Sequence, residues 1–166
     1  MLHRLACCVV VAACVLLAAC QGYDFTVNEK VVYTPVPLFR GFSTPDKGLK
    51  DCLDRAINDG VITAADQLTS LDCSFAGIEN LEGLAQFREL KSLRLSANKL
   101  SNVVELSKFN LLEELYLDDN QIVDPVPLYH LPALRRVDLS GNDTLQCPGK
   151  GSLAHVKTVI LPQHCR

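Results

Sequence analysis

The sequence has no tryptophan, no basic excess and no long apolar run. Its net charge of −3 leaves no basic stripe with which to hold a nucleic acid, so that partner class drops out. The longest uncharged apolar stretch, Leu5–Ala19, falls short of the roughly 18–20 residues that a membrane-spanning helix needs. Catalytic signatures are missing as well: no G-x-S-x-G, no H-E-x-x-H and no glycine loop of the phosphate-binding kind. His3, His130, His155 and His164 are not spaced as metal-ligand pairs, and no two cysteines stand as C-x-x-C. Asp118-Asp119-Asn120 lacks the spacing of an EF-hand calcium loop. The chain reads as a non-enzyme with no cofactor and no metal.

What is present begins with an export signal. Arg4 gives a short positive start, the apolar stretch follows, and it ends in Leu17-Ala18-Ala19-Cys20. That ending resembles a bacterial lipobox, which implies removal of residues 1–19 as a lipoprotein signal peptide and a lipid on Cys20. Gln21, rather than an aspartate, follows Cys20; by the same resemblance this favours the outer membrane over the inner. The competing reading is an ordinary signal peptide with Cys20 incidental. Residues 20–45 then form the lipid anchor and a tether. Its first part is polar and aperiodic, and Pro35 and Pro37 in its second part forbid a helix. Tyr33, Phe39 and Phe42 suggest that this second part packs on the domain.

The body of the chain, residues 68–142, repeats itself. The same apolar template restarts at Leu68, Leu90, Leu112 and Leu134, each 22 residues after the last. Positions one, four and six of the unit are apolar (Leu90, Leu93, Leu95; then Leu112, Leu115, Leu117), which is the alternation of a strand with every second side chain inward. Further inward positions follow at Leu100, Val103, Leu106 and Phe109, then at Ile122, Pro125, Leu128 and Leu131. The frame L-x-x-L-x-L-x-x-N-x-L resembles the leucine-rich repeats, closest in length to the short internalin-like bacterial class. The resemblance implies an α/β fold: a right-handed leucine-rich-repeat solenoid with a parallel β-sheet on its concave face, where many members bind proteins. It also implies that Asn98, Asn120 and Asn142, at position nine, form a structural asparagine ladder. Ala76 and His164 hold that position in the first and last units, and His164 is expected to be solvated.

A solenoid needs covers for its two ends. Residues 46–67 are expected to form the N-terminal cap. Asp46 caps a helix over about Lys47–Asn58, with Leu49, Cys52, Leu53, Ala56 and Ile57 on one face and Gly60 past its end; Thr63 is placed to cap a second, short helical turn. Residues 143–166 are expected to hold a terminal strand near Thr158–Leu161 and a C-terminal cap. Four cysteines remain after the signal and the lipid: Cys52, Cys73, Cys147 and Cys165. In an exported chain an even number reads as disulfides. Stacked strands lie about 4.8 Å apart, which separates the two ends by roughly 14 Å or more. A disulfide needs Cα atoms within about 7 Å. The expected pairs are therefore Cys52–Cys73 and Cys147–Cys165, one closing each cap. The same distances argue against a four-cysteine metal site.

Specificity must lie in the outward strand positions. Arg94, Glu114, Tyr116, Asp118, Arg136 and Asp138 are the distinctive ones among a background of serines. Tyr116 is the one aromatic of this set, and Tyr and Arg dominate interface hot spots; Phe75, just past the first strand, is a lesser candidate. Two readings of this face stand side by side: an interface anchored by Tyr116, or a salt-bridge lattice in which Arg94 and Arg136 satisfy Glu114 and Asp118. The functional expectation is a monomeric, membrane-anchored module that binds a protein or peptide. The alternative is a structural envelope lipoprotein without a dedicated partner.

Overall fold

The computed structural model describes residues 25–27, 30–33 and 36–166. Residues 1–19, expected as a signal peptide, and Cys20 lie outside them. The chain divides into two compact units, one ending at Pro37 and one running from Leu38 to Arg166.

The first unit contains a two-stranded antiparallel sheet, β1 (Phe25–Val27) and β2 (Lys30–Tyr33), with Phe25 opposite Tyr33 and Val27 opposite Lys30. Part of residues 20–45, expected as anchor and tether, is thus paired as strands. β-Branched and aromatic residues flank Asn28-Glu29 in the sequence, a composition that favours paired strands.

The second unit is built on a parallel sheet of five three-residue strands. They are β3 (Ser70–Asp72), β4 (Ser92–Arg94), β5 (Glu114–Tyr116), β6 (Arg136–Asp138) and β7 (Thr158–Ile160), in that spatial order. The register never slips: Leu71, Leu93, Leu115, Val137 and Val159 stand side by side. The strands β3, β4 and β5 each hand the chain to a return path with one short 3-10 turn, over Leu84–Gln86, Val104–Lys108 and Val126–Leu128. The seven inward side chains of the second and third units are all buried, and Phe87 and Phe109 are fully enclosed between strands and return paths. No single unit could bury these side chains alone, so the stack is what folds.

The N-terminal end is covered by α1 (Lys47–Asp59), whose buried face is Leu49, Cys52, Leu53 and Ile57. The helix starts where it does because Asp46 Oδ1 accepts the Leu49 N–H at 2.9 Å. The second oxygen has a different task. Asp46 Oδ2 accepts the N–H groups of Glu79 and Asn80 at 2.8 and 3.0 Å, fastening the helix start to the first repeat. Partial burial pushes the Asp46 carboxyl up, but hydrogen bonds from the backbone of Leu49, Glu79, Asn80 and Gly48 outweigh it and hold the group below its ordinary value.

The cover begins earlier than Asp46. From Leu38 the chain forms a strap in which the Phe39 N–H donates to the Ile62 carbonyl at 2.8 Å. The rings of Phe39 and Phe42 meet Phe87 edge-on, with centroids 5.9 and 5.7 Å away, and Arg40 donates to Asp54 and Asn58 on α1. Thr63 does not cap the turn that follows (Ala65–Gln67). Ala64 occupies the cap position, and the Gln67 side chain reaches back to accept from the N–H groups of Thr63 and Ala64.

Disulfides join Cys52 to Cys73, with Cα atoms 5.7 Å apart, and Cys147 to Cys165, with Cα atoms 5.3 Å apart. The first is buried between α1 and the chain leaving β3; Cys147 of the second is exposed. At the C-terminal end Leu145, Leu153 and Val156 are buried, whereas Val159 and Leu161 stay partly exposed because β7 has a neighbour on one side only.

Candidate interaction face

The outward side chains of the sheet form rows that run across the strands. The register places Ser70, Ser92, Glu114, Arg136 and Thr158 in one row, and Asp72, Arg94, Tyr116, Asp138 and Ile160 in the next. Beneath them the asparagines make the platform rigid. Asn120 Oδ1 accepts the Leu100 N–H at 3.0 Å, while Nδ2 donates to the carbonyls of Leu95 and Leu117 at 2.9 and 3.1 Å. Asn142 repeats this with the Ile122 N–H and the Leu117 and Leu139 carbonyls. Asn98 does so with the Ala76 and Ile78 N–H groups and the Cys73 and Leu95 carbonyls. Each amide thus bridges two neighbouring units. Among the described residues no buried side-chain polar atom lacks a partner.

The salt-bridge lattice expected on this face as one alternative does not form. Among the described residues, no ion pair joins Arg94 or Arg136 to Glu114 or Asp118. The register accounts for Arg94 but not for Arg136, which does lie opposite Glu114. Arg94 lies opposite Tyr116, not Glu114, and its guanidinium stacks over the Tyr116 ring, 4.2 Å from the centroid. The carboxylates turn to hydroxyls instead: Ser96 donates to Asp118, Ser140 to Asp138 and Ser74 to Asp72. For Asp72, partial burial raises the carboxyl; the Ser74 hydroxyl and N–H, with the charge of Arg94, more than offset this and hold it below its ordinary value. The ion pair that does form between these units, Arg135 with Glu113 at 3.7 Å, stands one residue before the outward rows.

Just past the strands the chain turns through the left-handed region in every full unit, at Phe75, Ala97, Asp119 and Gly141, with φ of 58°, 54°, 55° and 70°. The turn lets the N–H of each non-glycine member donate to the next unit, as Phe75 N–H does to the Ser96 carbonyl at 3.0 Å. The side chain of Phe75 is 83% exposed.

Other surfaces are less promising. A shallow cleft of about 720 Å³ lies along the return paths of the first two units, among Glu79, Glu82, Arg88, Glu105 and Lys108; its charges are mixed, and Asn80 beside it is tied to Asp46. A His164 ring nitrogen and the sulfurs of Cys147 and Cys165 lie within 4.8 Å of one another, but both sulfurs are committed to the disulfide. His164 is exposed, as a solvated residue would be, yet its Nε2 also meets the Leu145 carbonyl at 2.9 Å, because the last turn folds back over that carbonyl. No helix among the described residues is long and apolar enough to cross a membrane.

The stacked array superposes on known structures. An internalin (inlF) from Listeria monocytogenes superposes with a TM-score of 0.62 at 22% identity, over 72% of this chain and 37% of its own. The fold is an internalin-type leucine-rich-repeat array. A second internalin of the same organism, C2 (inlC2), superposes with a TM-score of 0.52 at 22% identity, over 72% of this chain and 66% of its own. The chain thus spans about a third of the first internalin's length and just under two thirds of the second's. No protein-family model matches the sequence, and no curated protein matches it either. The internalin-type likeness fixes the architecture.

Proposed function

We propose that this protein is a non-catalytic interaction module, a lipoprotein held in the bacterial cell envelope by a lipid on Cys20 and sorted to the outer membrane, which captures a protein or peptide on the concave side of its sheet. The observation that carries the reading is the Arg94–Tyr116 stack in the middle of the sheet. It presents a partly exposed aromatic ring and a guanidinium with no ion-pair partner among the described residues, on a platform that the asparagines fix before any partner arrives. Fixed, amphipathic Tyr and Arg side chains give contact area at little entropic cost. The resemblance to leucine-rich repeats implies protein binding on the same side.

The test is crosslinking on intact cells followed by mass spectrometry, with wild-type protein and Tyr116→Ala. A crosslinked partner that Tyr116→Ala loses, while its melting temperature stays within a degree or two, supports the reading. Unchanged crosslinks, or none, remove it and leave a structural envelope lipoprotein. Palmitate labelling that survives Cys20→Ala removes the anchor.

A further inference from the structure

The two ends of the strands carry opposite charge. Around the strand starts stand Lys91, Arg135, Arg136 and Lys157 against Glu113 and Glu114; around the strand ends stand Asp72, Asp118, Asp119 and Asp138 against Arg94, with Arg166 beyond the last strand donating to the Leu161 carbonyl. Among the described residues none of these four aspartates is ion-paired. Phe75 stands on the same acidic rim. Of the exposed large hydrophobic side chains described it is the most exposed, and it occupies a left-handed backbone position that disfavours bulky residues. Its equivalents are Ala97, Asp119 and Gly141, so the turn itself does not call for an aromatic. Being exposed, the ring adds little to the core.

Accepting the concave-side reading above, we infer that the partner is a protein segment that joins cationic side chains to an apolar one, and that Phe75 is the second contact point beside Tyr116. The apolar residue packs on Phe75. The cations face Asp118 and Asp119. These sites lie two strand spacings apart, roughly 10 Å, which an extended peptide covers in about three residues. The charge difference across the sheet orients the segment, because a cationic chain is attracted to the strand ends and repelled from the strand starts.

The probe is a labelled peptide in extended sequence context, with one Phe and flanking Lys residues three positions away, followed by fluorescence anisotropy with the whole folded protein. Two control peptides replace every Lys by Glu, or the Phe by Ser. The Lys/Phe peptide should bind, weaken as salt rises, and lose about tenfold or more in affinity with Phe75→Asn, a variant whose side chain tolerates the left-handed turn. Asp118→Asn with Asp119→Asn should flatten the salt dependence. Equal binding of the Glu peptide, or an unaffected Phe75→Asn, overturns the inference. So does Phe75-dependent binding to phosphatidylglycerol vesicles in place of the peptide, which would give the rim to lipid. If the peptide fails while Tyr116→Ala still loses its cellular crosslinks, only the partner chemistry falls; if the peptide binds but the crosslinks are insensitive to Tyr116, only the Tyr116 reading falls.

Discussion

The Ser43 carbonyl oxygen passes so close to Gly83 that a Cβ on that glycine would lie 2.1 Å from it. Gly83 also holds φ at +91°. Both facts belong to one contact: the strap that carries Phe39 and Phe42 onto Phe87 crosses the first return path at a residue without a side chain. Gly83→Ala is expected to push the strap off and to destabilise the unit by about 2–4 kcal/mol. Gly77→Ala is the control. Its φ is +69° but nothing lies within 4 Å of the added methyl, so its loss should stay near 1 kcal/mol. Urea midpoints of the two variants give the comparison.

Asp46→Ala removes a helix cap and two fasteners at once. The cap alone is worth about 1 kcal/mol, and the freed N–H groups of Glu79 and Asn80 should raise the loss to about 2 kcal/mol. The loss depends on pH. The folded carboxyl titrates below its unfolded value, so its contribution is fully present above the unfolded pKa and disappears as pH falls through the folded one. Denaturation curves of wild type and Asp46→Ala should be well separated at pH 7 and should converge as pH drops below about 4. Curves that stay equally far apart in acid would assign the effect to something other than the charge.

Asn120→Ala strands the buried Leu100 N–H, while the Leu95 and Leu117 carbonyls each lose one donor and keep another, from Asn98 and Asn142. At about 1–3 kcal/mol for the unpaired buried N–H and about 0.5–1.5 kcal/mol for each hydrogen bond lost, a total near 2–4 kcal/mol is expected, with the urea m-value unchanged if folding stays two-state. Asn102→Ala, which removes an exposed bond to the Val104 N–H, should cost under about 1 kcal/mol.

The two disulfides should respond differently to a dithiol reductant. With the fold intact, Cys147 and Cys165 should be reduced and alkylated first, since Cys147 is exposed. Cys52 and Cys73, 5% and 2% exposed, should stay protected until denaturant is added. Peptide mapping after timed alkylation reads this directly. Opening either loop should remove about 3 kcal/mol of stability in the chain-entropy model.

The sheet, its register and the asparagine bonds were legible because they obey a local rule repeated at fixed spacing. The same spacing held part of the answer to the face. Arg94 and Tyr116 are one period apart, so their stacking was readable from the numbers; Glu114 and Arg136 are one period apart too, and the spacing does not announce that they stay unpaired. What could not be read were contacts without a period: Asp46 with Glu79 and Asn80, the strap over Gly83, and Gln67 turning back to Thr63. Each joins residues through three-dimensional closure, and no local pattern announces it. The antiparallel pair β1 and β2 did carry a signal in the sequence, in Thr26, Val27, Val31 and Val32, which the polar character of the segment concealed.

One consequence follows from the unbroken register. Each strand meets the next at an offset of one period, including the last pair, Arg136 with Thr158. Excision of residues 90–111 would therefore bring Ser70 beside Glu114 with both covalently closed ends untouched, and duplication would extend the stack equally smoothly. The length of the array is an independent variable, like the number of beads between two clasps. Recognition could be widened or narrowed in steps of about 4.8 Å, and each added or lost row would bring or remove its own outward side chains.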